Sequence, residues 1–533
     1  MAASKWYQEA VFYELYIRAY QDSNGDGHGD FRGAISKLDH IKSLGVDCVW
    51  ILPHYPSPLK DDGYDVADYT GVHSDYGTVE DFKAFVDAVH ERGMKLVTDL
   101  VMNHTSDQHS WFQAARQDKN SPYRDYYVWS DTGTEYADTR IIFLDVEPSN
   151  WSYDEVAEQY FWHRFYSTQP DLNFDNPQVH EEMFNAVRFW MDMGLDGFRA
   201  DAIPYLYERE GTNCENLPET HEFLKKLRQM VDEEYPERVI IAESNMWPED
   251  LLPYFGEGDE CHMCFHFPIM PRLYQSIKAG DKEPIMEITE RTPNIPEGTA
   301  WLTFLRNHDE LTLEMVTSEV RQWMWEQYAP EPRMRLNLGI RRRLAPLLDN
   351  DKRRWLLIHG LFLTMPGTPI IYYGDEIGMG DNIMLPDRHG CRTPMQWTAD
   401  KNAGFSEADE TYFPVHDDYV DVNVAAQEND PDSYLNWTRF LIQTRQAQPA
   451  LRAGVFDFVP TMNKAVLAYT RTTLEQEILC LFNLSDEPQP SGLHWEGERV
   501  DLLSREGKGK TADEVLAPYA AHWLERRNQP APA

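Results

Sequence analysis

The sequence predicts an α/β chain built on a (β/α)8 barrel, and three observations lead there. The first is a rhythm. A helical pattern with Phe31, Ile35, Leu38, Ile41 and Leu44 on one face stops at Gly45, just before the apolar run 48–52. A second, opened by Thr78 and carrying Phe82, Phe85, Val86 and Val89, stops at Gly93 before the run 95–101. A third, with Met183, Phe184, Val187, Trp190 and Met191, stops at Gly194 before 197–201. Helix, glycine, buried strand, repeated, is the pattern of parallel strands joined by crossover helices. The second observation is number: runs at 10–16, 238–243, 260–267, 301–306 and 368–373 bring the strands to eight. The third is that polar residues gather where these runs end, the end at which such barrels build sites. An open doubly wound sheet fits less well, because no Gly-x-Gly-x-x-Gly turn follows the first strand.

The barrel is expected over 1–102 and 177–450, with two interruptions. Residues 103–176, polar and rich in Tyr and Trp, follow the third strand and read as an inserted small domain. Residues 311–350 follow the seventh strand, carry Arg341-Arg342-Arg343, and read as a lid subdomain. From 451 to 533 short alternating strands, such as 465–471 and 477–483, predict an antiparallel β-sandwich with a polar Pro-Ala end.

Composition narrows the function. With 49 Lys plus Arg against 89 Asp plus Glu, the net charge is −40, which excludes nucleic acid and anionic membranes as partners. No signal-like N-terminus and no run of membrane-spanning length is present. The six cysteines are scattered, which suits reduced thiols in a cytoplasm. Cys261 and Cys264 have no second pair near them and sit in a strand-like run, so a metal role there is not expected.

The charged residues of Gly197-Phe198-Arg199-Ala200-Asp201 carry the chemistry. Arg199 and Asp201 are two apart and share one face of a buried strand, where unpaired charge is costly. Asp99, Asn103 and His104 end the third strand, Glu243 the fifth, and Asn307-His308-Asp309 the seventh; Asp62-Gly63-Tyr64-Asp65 follows the second. Carboxylates meeting at one mouth suggest glycosyl transfer, one as nucleophile and one as general acid/base. Arg199 is expected to keep Asp201 ionised. Glu243, with only Ser244 and Asn245 as polar sequence neighbours, is expected to hold a proton near neutral pH.

Four of these segments, 99–104, 197–201, 241–244 and 304–309, resemble the signature regions of the α-amylase superfamily, glycoside hydrolase family 13. Residues 169–173 and 367–376 agree, and the resemblance runs in order over about residues 5–450. It implies Asp201 as nucleophile, Glu243 as acid/base and Asp309 as transition-state stabiliser. It implies that Asp62, His104, Gln169, Arg199 and His308 grip the sugar above Tyr64, and Arg392 is expected to close the far side. Segments 141–151, 160–166 and 337–350 resemble, within the superfamily, the branch that isomerises maltose to trehalose by retained glucosyl transfer. Its substrates would be those two disaccharides, with no organic cofactor. A homo-oligomer is left open.

Asp22, Asn24, Asp26, the carbonyl of His28 and Asp30 follow the first ligand positions of a calcium loop, although Gly33 stands where an EF-hand has Glu. A structural Ca2+ or Mg2+ is expected there. The resemblance implies a second Ca2+ at Asn103 and Asp171, completed by Tyr205, Leu206 and Glu208.

Three rivals share parts of this reading. An α-glucosidase hydrolysing maltose or isomaltose has the same catalytic residues. A transporter heavy-chain ectodomain would carry a membrane span and lack catalytic carboxylates. Glucosyl transfer from sucrose uses the same barrel.

Overall fold

A computed structural model describes residues 4–495, 499–505, 509–510 and 515–526. Eight parallel strands close into a barrel in sequential order. They are β1 (Phe12–Leu15), β2 (Cys48–Ile51), β3 (Lys95–Val101), β4 (Gly197–Asp201), β5 (Val239–Ala242), β6 (Met263–Phe265), β7 (Ala300–Phe304) and β8 (Thr368–Tyr372). Seven fall inside their expected apolar runs and β7 starts one residue before its own; all are almost wholly buried, as strands covered on both faces must be.

The helices between them start and stop where the sequence says. Asp30 caps helix Phe31–Leu44 by accepting from the Gly33 N–H (2.7 Å), and Gly45 ends it in a left-handed conformation (φ 90°). Thr78 and Asp81 form a reciprocal capping box on Val79–Glu91. Asn176 caps Pro177–Asp192, with Pro at the first helical position. These stops set the strand register: Asp99 lies opposite Arg199, and Arg199 opposite Ile241.

Between β3 and β4 the chain forms helix Ser110–Gln117 and a three-stranded sheet of Trp129–Ser130, Gln159–Trp162 and Trp151–Asp154. After β7 it forms helix Ser318–Tyr328 and a small sheet of Leu311–Thr312, Gly339–Ile340 and Arg335–Leu336. The two excursions touch across the mouth. Arg140 of the first pairs with Glu314 of the second (3.0 Å), and the Asn337 N–H donates to Asp145 (2.8 Å). The C-terminal part is a six-stranded antiparallel sheet centred on Val466–Thr472, Glu477–Asn483 and Ala521–Arg526, with a two-stranded sheet against it. The Pro-Ala end lies outside the described residues.

Candidate active site

Strand geometry brings the acidic residues together at the C-terminal mouth. Arg199 is 2% exposed and sits at the centre. Its Nη1 donates to Asp99 (2.5 Å) and to Asp201, and its Nη2 to Glu243 Oε1 (2.6 Å). Asp99 also accepts from the Trp50 indole (2.8 Å). Immediately after Asp201 the backbone turns left-handed at Ala202 (φ 52°), a conformation rare for a residue with a Cβ and concentrated at functional sites. The turn aims the Ala202 N–H at Glu243 Oε2 (2.9 Å). Asp201 and Glu243 thus hang from one guanidinium, which suits the close carboxylate spacing, about 5 Å, of a double-displacement pair.

Glu243 is therefore not isolated, as its sequence neighbours imply. Its carboxylate is held by Arg199, distant in sequence, and by the Ala202 N–H, while the Asn245 amide donates to Thr312 (3.1 Å). Burial nevertheless raises its carboxyl to about 7; Arg199 opposes this, and Asp201 and Asp309 add to it. The expected protonated acid survives, for a different reason. Asp201 goes the other way from expectation. Burial outweighs Arg199 and lifts it to about 6, with Asp99 and Asp309 contributing.

Asp309 is held far more firmly. Burial pushes its carboxyl up, but His308, Arg388 and Arg392 overcome that and keep it well below the usual carboxylate range. Arg388 Nη1 and Arg392 Nη2 donate to Oδ1 (2.9 and 3.1 Å), and His308 Nε2 lies 3.1 Å from Oδ2. His308 is anchored behind by buried Glu14 (2.6 Å) and stacks on Tyr64 at 5.4 Å between ring centroids. Burial alone would lower His308; Asp309 and Glu14 raise it to about 9. His104 points its Nε2–H at the Tyr64 carbonyl (3.2 Å), and burial lowers it to about 4, so it stays neutral.

A cavity of about 140 Å³ opens among these groups. Tyr64, His104, Asp201, Glu243 and Asp309 line it, as does Asp61. Asp62, the expected sugar-gripping residue, does not. Asp62 takes a left-handed turn (φ 48°) ahead of Gly63 (φ 108°). Its carboxylate is held behind the cavity by Arg392 (2.6 Å), His389 (3.1 Å) and Arg18 (3.6 Å). Its neighbour Asp61 faces the cavity instead, held by Arg388 (2.8 Å) and by the Gln169 amide (2.9 Å). Gln169 and Arg199 act from behind the lining, and so does Arg392, which bridges Asp62 and Asp309 and donates Nε to the His308 carbonyl (2.9 Å). Arg392 is 1% exposed and does not close the far side. That side is walled by Phe143 and Phe165 of the first excursion and by Glu310, Thr312 and Glu314 of the second. Arg388 and Asn245 also line the cavity and were not singled out from sequence. The only signal for Arg388 is its place in a loop after β8 that already carried Arg392.

The two expected cation sites differ. Among the described residues no three His, Cys, Asp or Glu side chains form a metal-ligating group. In the first loop, Asp22 accepts from the N–H groups of Asn24, Gly25 and Gly27, Asp26 from that of His28, and Asp30 from Ser23 and Gly33. The Asn24 amide donates to Asp26 (2.9 Å). These side chains are spent on turns and a helix cap and do not converge. At the second site, Asn103 Oδ1, Asp171 Oδ2 and Glu208 Oε1 are all buried without a hydrogen-bond partner. Burial raises Asp171 to about 8 against the opposing pull of Arg164 and Asn103, and burial raises Glu208 well above its ordinary value, with the Asp171 charge adding to it. Buried oxygens without donors fit a hard cation such as Ca2+.

A closed (β/α)8 barrel with two carboxylates on one guanidinium and a firmly ionised third at its mouth has the architecture of a retaining glycosyl-transferring enzyme. The profile of the alpha amylase catalytic domain matches residues 14–454, and that of the maltogenic amylase C-terminal domain matches residues 456–523. The chain belongs to the α-amylase family. The Trehalose synthase/amylase TreS of Mycolicibacterium smegmatis is 54% identical over 93% of this chain and 87% of its own. The Trehalose synthase of a Pimelobacter species is 54% identical over 97% and 92%. Among solved structures, the trehalulose synthase MutB from Pseudomonas mesoacidophila superposes with a TM-score of 0.81 at 28% identity, covering 98% of this chain and all of that one.

Proposed function

We propose that this chain isomerises maltose and trehalose by retained glucosyl transfer. The observation that carries the reading is the cavity at the mouth with Asp201 and Glu243 on one guanidinium, walled by the two bridged excursions. The 54% relatives named trehalose synthases support the choice of substrate. Asp201 attacks the anomeric carbon of maltose, the bond to O4 breaks, and the Glu243 proton goes to O4. A β-glucosyl ester on Asp201 and free glucose result. Asp309 and Asp61 hold the ring's hydroxyls through the step, over Tyr64. The freed glucose turns within the cavity and presents its anomeric hydroxyl; Glu243 takes that proton as the oxygen attacks the anomeric carbon of the glucosyl ester and the Asp201 carboxylate leaves. Two inversions leave an α,α-1,1 linkage and restore Asp201 and the protonated Glu243. Phe143, Phe165 and the Arg140–Glu314 bridge keep water out while the ester lives.

Separating the products of a maltose digest tests this. Trehalose in excess over glucose is expected; glucose alone would make the chain an α-glucosidase. Added labelled glucose is expected to enter trehalose only weakly, and heavy incorporation would refute retention.

Asn103, Asp171 and Glu208 would hold a Ca2+, together with the carbonyls of Tyr205 and Leu206. Its chemistry there is structural: it neutralises two buried carboxylates between the excursion and β4. A chelator is expected to lower the melting temperature of the intact chain and not that of Glu208→Gln; equal melting of both with and without chelator would remove the Glu208 site. Six buried, unbridged cysteines support a reducing, cytoplasmic setting, and no helix among the described residues is long and apolar enough to cross a membrane.

A further inference from the structure

Between the lower ends of β7 and β8 and the C-terminal sheet lies a cavity of about 430 Å³. Its size, and its place at a domain boundary, are those of small-molecule sites. Ile269, Leu273, Trp301, Phe362 and Met365 give it an apolar wall. Arg452 and Arg471 stand on the other side, with Arg445 close behind.

Two of these arginines, Arg445 and Arg471, give their hydrogen bonds to backbone carbonyls and to no carboxylate among the described residues. Arg471, 3% exposed, donates Nη1 to the Thr364 carbonyl (2.6 Å) and Nη2 and Nε to the Gly454 carbonyl (3.0 and 3.2 Å). Arg445, fully buried, donates Nη1 to the carbonyls of Leu363 and Leu451 (2.8 and 2.7 Å) and Nη2 to that of Gly367 (3.2 Å). Its Nε is buried with no partner, as is the Nε of Arg452. Arg452 pairs with Glu9; among the described residues neither Arg445 nor Arg471 has a carboxylate within ion-pair distance. A carbonyl dipole accepts a proton's hydrogen bond without cancelling the charge, and a guanidinium does not give up its proton in a protein. Burying such a cation unpaired is costly. Burial, then Arg471 and Arg452, push Arg445 down to about 9, the direction of a cation short of an anion. This stands out in a chain of net charge −40.

We propose that this cavity binds a small organic oxyanion, a carboxylate or phosphate ester, whose ring lies against Trp301 and Phe362 while its anionic head meets Arg452 and Arg471. The reaction at the mouth does not use this cavity, so the site stands or falls apart from the isomerase reading.

Calorimetric titration and thermal melting of the full chain with phenyl phosphate, benzoate, inorganic phosphate and phenol test it. Saturable binding of phenyl phosphate or benzoate is expected, with a rise in melting temperature and at least tenfold tighter than inorganic phosphate or phenol. Comparing the two aromatic anions shows which head the arginines prefer. Thr289→Trp, which fills the cavity without touching an arginine, is expected to abolish binding and leave maltose turnover unchanged. Arg452→Gln is expected to weaken binding about tenfold, the loss of one charged contact. Absence of saturable binding by either aromatic anion, equal binding of phenol, or binding retained in Thr289→Trp would overturn the proposal.

Discussion

At the mouth of the barrel Arg199 donates to three carboxylates, Asp99, Asp201 and Glu243; at the floor Arg445 donates to three backbone carbonyls and meets no carboxylate among the described residues. The same side chain, equally buried, does two jobs. At the mouth acids outnumber the cations that touch them, so burial leaves Glu243 near 7 and Asp201 near 6, titrating where sugar chemistry needs a proton donor and a nucleophile. At the floor the surplus is positive, and the guanidinium ties together the carbonyls of Leu363, Leu451 and Gly367. Charge balance, rather than burial or residue type, separates a reacting site from a structural one in this molecule.

The strongest way to break the comparison is at the nucleophile. Asp201→Ala is expected to lower kcat about 10⁴-fold or more, because no ester can form; turnover retained in a maltose assay would remove Asp201 from that role. Glu243→Gln is expected to cost about 10³-fold. In the wild-type chain, activity should fall below about pH 6 as Asp201 takes up a proton and above about pH 7 as Glu243 loses one. The two carboxyls share Arg199, so a kcat/KM profile reports the pair's apparent values. With an activated leaving group Glu243→Gln should lose the alkaline limb and keep the acidic one.

Asp61 and Asp62 sharpen the contrast within the mouth. Asp61→Asn, in the cavity, is expected to reduce kcat/KM for maltose about 10- to 100-fold with little change in melting temperature. Asp62→Asn leaves buried Arg392 short of its partner, and should cost about 3 kcal/mol of stability, with a smaller catalytic loss. If both variants behaved alike, the cavity and the layer behind it would not be separate. The smallest catalytic effect belongs to the floor. Arg445→Met frees three carbonyls from their donor and should lower the melting temperature while leaving kcat within about twofold. A large loss of kcat would join floor to mouth.

Much of this was legible in the chain itself. Helical periodicity with a glycine stop located three of the strands and bare apolar runs the other five, because a parallel strand must be apolar on both faces. Asp201, Glu243 and Asp309 were legible because each stands at the end of such a strand. Asp62 was misplaced because one left-handed residue reverses which aspartate of a pair faces inward, and nothing in Asp61-Asp62-Gly63 fixes which residue turns. Glu243 was read through its sequence neighbours, whereas its partner Arg199 comes from the adjoining strand. Arg392 is expected from the sequence to close the far side of the sugar site, yet it is locked behind the cavity between Asp62 and Asp309, partners that only the fold brings to it.

The sequence by itself determined the element order, the strand ends and therefore which acids reach the mouth, since these follow from local pattern and capping. Tertiary structure alone decided which of those acids share a guanidinium, which face the cavity, and how far burial shifts them. Electrostatic balance is a sum over neighbours brought from distant parts of the chain, and no local stretch contains it.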